Sequence, residues 1–161
     1  MKTTVKTLIF TVFVPGTVTV LIPASLLRGA AISFGGYRPL GLPVIALGAA
    51  IYFWCAWDFA FVGLGTPAPF DPPQRLVIRG LYRIVRNPMY VGVLLVLFGE
   101  SIFFASARLV RYALFVWLMF HLMAIFYEEP VLRTKFGPAY HEYCRNVRRW
   151  LPRVPRAARL G

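Results

Sequence analysis

Arg86-Asn87-Pro88-Met89-Tyr90 leads straight into VGVLLVLFGESIFFAS, residues 91–106, in which Glu100 is the only charged side chain. Asn is a favoured N-cap, and Pro suits the first helical position because its missing N–H would have had no partner there. A helix is therefore predicted to begin at Pro88. The apolar run from Met89 to Ser106 comes close to the roughly 20 residues an α-helix needs to cross about 30 Å of hydrocarbon.

Three further apolar runs flank this one: Thr7 to Leu27, Pro43 to Leu64 and Leu109 to Phe126. In a chain of 161 residues that is 58% hydrophobic, 16% aromatic and only 15% charged, they exceed what a soluble domain can hide. The predicted fold class is all-α: an integral membrane bundle of about four transmembrane helices with a cytoplasmic C-terminal helical tail. Lys2, Lys6 and the small residue Ala24 also allow the first run to be read as a cleaved signal peptide. Its apolar stretch is longer than the usual 7 to 15 residues of a signal core. Pro15-Gly16 and Pro23 are expected to kink this helix without ending it, since neighbouring helices can shelter freed backbone groups.

The net charge of +12 raises nucleic acid as a partner, but the placement of the charges argues against it. Fourteen of the 18 Lys and Arg residues fall in the N-terminus, the 65–88 loop and the tail from Arg133 onward; Arg28, Arg38, Arg108 and Arg111 occupy the other two loops. This asymmetry places both termini and the central loop in the cytoplasm, and the partner it implies is the membrane lipid bilayer. Cys55 and Cys144 indicate no disulfide framework, and with His121 and His141 they give no ligand spacing, so no metal is expected. Gly63-Leu64-Gly65-Thr66-Pro67-Ala68 fits a loose GxGxxA pattern. That pattern works only between a strand and a helix, whereas here it follows a membrane run and continues into prolines.

Ionisable residues inside or beside the apolar runs are the candidate functional groups. Glu100 lies about 18 Å along its helix at ~1.5 Å per residue, past mid-membrane; Arg111 across the short hairpin is a possible ion-pair partner. Asp58, near the end of the second run, reads as a solvated interfacial group. Glu128-Glu129 closes the fourth run, and the sevenfold spacing puts His121 and Glu128 on one helical stripe. Two acids at a helix C-terminus are opposed by the dipole and by each other, so they call for a cation, from a tail arginine or from a ligand. At the start of the third helix, free N–H groups with Arg83 and Arg86 form the complementary anion-attracting end.

From about Gly80 to Pro152 the chain resembles the isoprenylcysteine carboxyl methyltransferase and phospholipid methyltransferase superfamily of integral membrane enzymes. The resemblance rests on Gly80-Leu81-Tyr82, Arg86-Asn87-Pro88-Met89-Tyr90, Gly92, Gly99, Glu128-Glu129, Leu132, Phe136-Gly137, Tyr140, Tyr143, Arg149 and Pro152, in that order and spacing. Some relatives carry His where this chain has Asn87, and a Gly-x-Gly motif of phospholipid members appears here as Gly99-Glu100-Ser101.

The resemblance implies an S-adenosylmethionine-dependent methyltransferase with a lipophilic acceptor, either a lipid amine or a prenylcysteine-like carboxylate on a small molecule or lipidated substrate. It implies cofactor binding by Arg86, Asn87, Pro88, Tyr90, Gly99, Glu128, Glu129 and Tyr140, with Glu100, His121 and Arg149 as catalytic candidates. An amine acceptor must lose a proton, which makes Glu100 and His121 the candidate bases, whereas a carboxylate needs an arginine. The expected division of the chain is 1–74, N-terminal membrane helices and loop, and 75–161, the methyltransferase-like region, folded as one unit. An NADPH-dependent membrane reductase and a non-enzymatic membrane scaffold are the alternatives.

Overall fold

The computed structural model describes residues 13–29, 36–58 and 76–152, and every regular element among them is helical. Helix α1 spans Phe13–Leu27 and α2 spans Arg38–Asp58, opening with a 3-10 turn at Arg38–Leu40. A 3-10 turn at Gly80–Arg83 precedes α3, Pro88–Phe103, which is followed by α4, Ala107–Met123, and α5, Glu129–Asn146. A π-helical turn at Ala124–Glu128 joins α4 to α5, so Ala107–Asn146 is one continuous run of 40 residues. The boundary expected at 74/75 and the GxGxxA-like segment lie outside the described residues.

Glycine decides how α2 meets α3. A Cβ added to Gly48 would stand 2.6 Å from the Gly92 carbonyl oxygen, and one added to Gly41 would stand 2.6 Å from that of Gly99. Both pairs are seven residues apart, two turns of helix, and their antiparallel match brings the two backbones into direct contact along one seam. Gly99 is thus occupied by α2: its own added Cβ would meet Ile45 and the Gly41 carbonyl. Beside this seam, Val93, Leu94 and Leu97 of α3 form one core cluster with Ala113 and Val116 of α4 and Tyr52 and Ala56 of α2.

The outer surface is apolar. Phe53, Trp54 and Trp57 on α2 and Leu114, Phe115 and Phe126 beyond the core side of α4 are all exposed, as in a bundle whose solvent is hydrocarbon. Arg38–Asp58 and Ala107–Asn146 are long and apolar enough to cross a membrane; α1 and α3 are shorter apolar helices.

Two helix boundaries and the burial of one acid differ from expectation. The third helix stops at Phe103, because Ala105 turns the chain with φ 47° and Ser106 caps α4 by accepting from the Leu109 N–H at 3.4 Å. Glu100 is therefore within one turn of its helix end, closer to the far surface than a run extending to Ser106 suggested. The fourth helix does not end at Glu128-Glu129, since nothing breaks it before Gly137 (φ 53°, ψ −128°) and Pro138. Asp58, expected to be solvated, is buried: an added Cβ at Gly80 would come within 2.6 Å of its carboxylate.

Pro23 and Pro130 are accommodated alike, each two residues past a π turn, Thr17–Leu21 in α1 and Ala124–Glu128 before α5. A proline ring clashes with the carbonyl four residues back, and the wider π turn holds that carbonyl, of Thr19 or Phe126. The helix continues through Pro23 without ending, as expected.

Gly48→Ala places a methyl group against backbone that cannot yield, and should cost about 3 kcal/mol or more, the upper end of overpacking costs. Gly16→Ala, with nothing within 4 Å of the added Cβ, should be neutral or mildly stabilising. Thermal unfolding in detergent compares the two; equal midpoints would contradict the glycine seam.

Candidate functional site

The 76–87 segment and the tail are tied together before any side chain acts. Val85 and Arg148 form a parallel bridge, and the Arg86 N–H donates to the Arg148 carbonyl at 2.8 Å. Below it, the Tyr143 hydroxyl donates to the Tyr82 carbonyl at 2.6 Å. Tyr140, Tyr143 and Val147 form a small core with Leu76, Leu132 and Phe136 packed against it. Tyr140, carried over as a cofactor contact, is 3% exposed, and protein atoms cover its ring.

This bracing aims Arg86 at Glu129, which is buried and holds three guanidinium groups. Its Oε1 accepts from Arg149 Nε at 2.7 Å and from Arg86 Nη1 at 3.0 Å, while Oε2 accepts from Arg133 Nη2 at 3.3 Å. The cation demanded by the acid pair is thus, for Glu129, supplied by the chain itself. The Glu129 hydrogen bond pushes the Arg149 pKa above its already high ordinary value, so that side chain stays charged. Arg86 Nη1 also lies 3.0 Å from Cys144 Sγ.

Glu128 has a different environment. Tyr90, stacked on Phe120 with ring centroids 4.2 Å apart, donates its hydroxyl hydrogen bond to Glu128 Oε1. Glu128 Oε2 takes no hydrogen bond from a described residue. The π turn explains why the two neighbours diverge. It inserts one residue into the α-helical count, so the stripe running from His121 passes to Glu129, eight positions on, and leaves Glu128 rotated about 100° away. The sevenfold spacing had paired His121 with Glu128. In the fold, consecutive tail residues meet the stripe: the Trp150 indole N–H donates to His121 Nδ1 at 3.0 Å and Arg149 reaches Glu129.

Asn87 stands at the N-cap of α3, as expected, but its side chain makes no capping hydrogen bond. Asn87 Nδ2 and Arg86 Nε are both buried without a partner, a costly state for donors. With Pro88 fully buried at the first helical position, they leave unpaired donors beside a helix N-terminus. Arg83 is exposed. Around the site three arginines face two carboxylates, an excess of one positive charge that suits an anion.

The structure therefore gathers Arg86, Asn87, Pro88, Tyr90, His121, Glu128, Glu129 and Arg149 about one end of the bundle. Gly99 and Glu100 are near the opposite end of α3, where Glu100 Oε2 is buried and unpartnered and forms no ion pair with Arg111. Arg133 and Trp150 were not singled out from the sequence. Arg133 had a usable signal, four residues after Glu129 on a helix; Trp150 had none.

Compared with known proteins, residues 37–139 match the model of the phospholipid methyltransferase family, and the chain belongs to that family. The match starts immediately before α2, well ahead of the motifs at Gly80. The chain is also similar to a probable protein-S-isoprenylcysteine O-methyltransferase of Oryza sativa subsp. indica, 33% identical over 84 residues, 52% of this chain and 44% of that protein. With protein-S-isoprenylcysteine O-methyltransferase A of Arabidopsis thaliana it is 36% identical over 86 residues, 53% of this chain and 43% of the relative. The matched segment thus spans less than half the length of these curated relatives. No solved structure matches the chain. Membership of this family, with the apolar helices, makes the chain an integral membrane protein of a methyltransferase family.

Removing the charge of Glu129 leaves the partly buried Arg86 and Arg149 without their carboxylate, while Arg133 remains exposed to solvent. Glu129→Gln should cost about 3–5 kcal/mol, the range for breaking a buried ion pair from one side. Glu128→Gln should change stability by less than about 1 kcal/mol. Denaturant or thermal unfolding in detergent checks the contrast; equal loss in both variants would contradict the division of roles.

Proposed function

We propose that this chain is an S-adenosylmethionine-dependent methyltransferase acting on a lipophilic acceptor at the cytoplasmic face of a membrane. The observation that carries the proposal is the pair of orphaned buried donors, Arg86 Nε and Asn87 Nδ2, set beside a carboxylate with a free oxygen, Glu128. An amino-acid zwitterion fits such a place: its carboxylate satisfies the two donors and the first N–H groups of α3, and its ammonium satisfies Glu128. Bound there, the cofactor supplies an electrophilic methyl group on a sulfonium.

The residues of this chain bind and orient. Glu129 holds Arg86, Arg133 and Arg149 in place and is a positioning residue, since its oxygens are already engaged. Tyr90 fixes the Glu128 carboxylate, and the tail from Val147 to Trp150 covers the site and limits water, which suits transfer from a sulfonium. The orientation follows from the charge asymmetry, which puts the 76–87 segment and the tail in the cytoplasm and gives four crossings with both termini on that side. At 16 residues, about 24 Å, α3 reaches across with its ends at the interfaces. The family and the relatives supply the acceptor class: a phospholipid, or a prenylated cysteine whose oxygen is methylated.

Titration calorimetry with S-adenosylmethionine tests the site. Glu128→Gln and Asn87→Ala should each weaken binding roughly 10- to 100-fold, the loss expected for a charge-assisted hydrogen bond. Unchanged affinity in both variants would remove the site. In thermal-shift experiments S-adenosylhomocysteine, and not NADPH, should raise the unfolding midpoint; stabilisation by NADPH alone would support a reductase, and by neither a scaffold.

A further inference from the structure

His121 and Trp150 define a chemical preference. An indole N–H is a donor only, so the nitrogen it contacts must carry a lone pair. With Trp150 Nε1 at 3.0 Å, His121 Nδ1 is the acceptor, and the neutral ring carries its proton on Nε2. The contact is built into the fold: Trp117 stacks on His121 at 5.5 Å, and the Trp150 ring lies 6.4 Å from Trp117 and 6.4 Å from Tyr90. Arg149, the neighbour of Trp150, is anchored on Glu129. His121 Nε2 takes no partner among the described residues.

We propose that Trp150 holds His121 as the Nε2–H tautomer, and that this N–H donates to the reacting carboxyl group of the acceptor, making His121 a specificity-determining donor and not a base. The acceptor part of the proposal rests on the methyltransferase reading. Methylation of a carboxylate forms one C–O bond as the C–S bond of the sulfonium breaks; the electron pair stays on sulfur and no proton is released. An amine acceptor has to lose a proton, and once the cofactor's ammonium has taken Glu128 Oε2 the described site has no free base to accept it. His121 Nδ1 is engaged by Trp150, Glu129 by three arginines and Glu128 Oε1 by Tyr90, while Glu100 is near the other end of α3. Arg86 and Arg149 favour an anionic acceptor further. Along α4 beside His121, exposed Trp117, Leu118 and Met119 offer an apolar path for its lipid chain.

The chain has only two histidines, and the other supplies an internal contrast. His141 Nδ1 lies 2.9 Å from the Gly137 carbonyl oxygen, an acceptor, which requires the opposite tautomer, Nδ1–H. Long-range 1H–15N correlation spectra of histidine-labelled protein in micelles, above the pH at which either ring is protonated, should show one ring of each tautomer. Trp150→Phe should abolish the preference of His121 alone. A wild-type His121 protonated on Nδ1, or a preference unchanged in Trp150→Phe, would overturn the tautomer assignment.

For the acceptor, His121→Leu should raise the KM for an N-acetylated S-prenylcysteine about tenfold with kcat little changed, and His121→Gln, which retains an N–H donor, should recover most of the loss. Phosphatidylethanolamine vesicles should take up no methyl label. Faster methylation of that amine than of the prenylcysteine, or equal loss in the Leu and Gln variants, would overturn the donor role. Cofactor affinity measured in the same variants separates this failure from failure of the methyltransferase reading, which would appear as no S-adenosylmethionine binding in the wild type.

Discussion

A single buried carboxylate organises the polar end of this bundle. Glu129 draws one guanidinium from the segment before α3, one from its own helix and one from the tail, and each is held at 3.3 Å or less. An unpaired charge at this depth is expensive, so the buried carboxylate requires Arg86 and Arg149, with the exposed Arg133 adding an i,i+4 pair. That mutual requirement fixes Arg86 against the tail, brings Trp150 onto His121 and places Asn87 at the head of α3. The neighbouring acid is left with one oxygen free. The site proposed for a zwitterion lies beside this ion cluster, with the adjacent residues Glu129 and Glu128 in different surroundings.

The apolar half of the molecule supports this arrangement by a different means. Helices in lipid gain little from burying one apolar surface against another, so close approach of backbones matters more. The glycine pairs Gly48–Gly92 and Gly41–Gly99 provide that approach and set α3 rigidly against α2. The start of α3, with its unpaired donors, therefore stands on a fixed support. The far end of the same helix carries Glu100, whose place near Phe103 separates it from the polar cluster.

Much of this was legible in the sequence, and what was not has physical causes. The start of α3 followed from Asn87-Pro88, because capping preferences are local; that the Asn87 side chain does not cap is visible only in the fold. The all-helical architecture followed from the apolar runs. The continuation of α4 into α5 was hidden because Glu128-Glu129-Pro130 looks like a terminus, and the π turn that accommodates the proline leaves no mark in hydropathy. That turn moves the His121 stripe from Glu128 to Glu129 and gives two acids expected to act alike different partners. Gly99 had seemed a ligand contact; its seven-residue spacing from Gly92 is visible, but its antiparallel partner on α2 is a tertiary fact. Trp150, near the end of the described chain, shows its importance only through the contact with His121.

The central claim is that a ligand bridges the head of α3 and the tail beside Glu128. Hydrogen–deuterium exchange of the protein in micelles, with and without saturating S-adenosylhomocysteine, measures this directly. Slowed exchange is expected at the amides of 86, 87, 89–91 and 147–150, which the ligand joins, with the α2–α3 glycine seam unchanged. Protection confined to the region around Gly99 and Glu100, or none at residues 86–91, would contradict it.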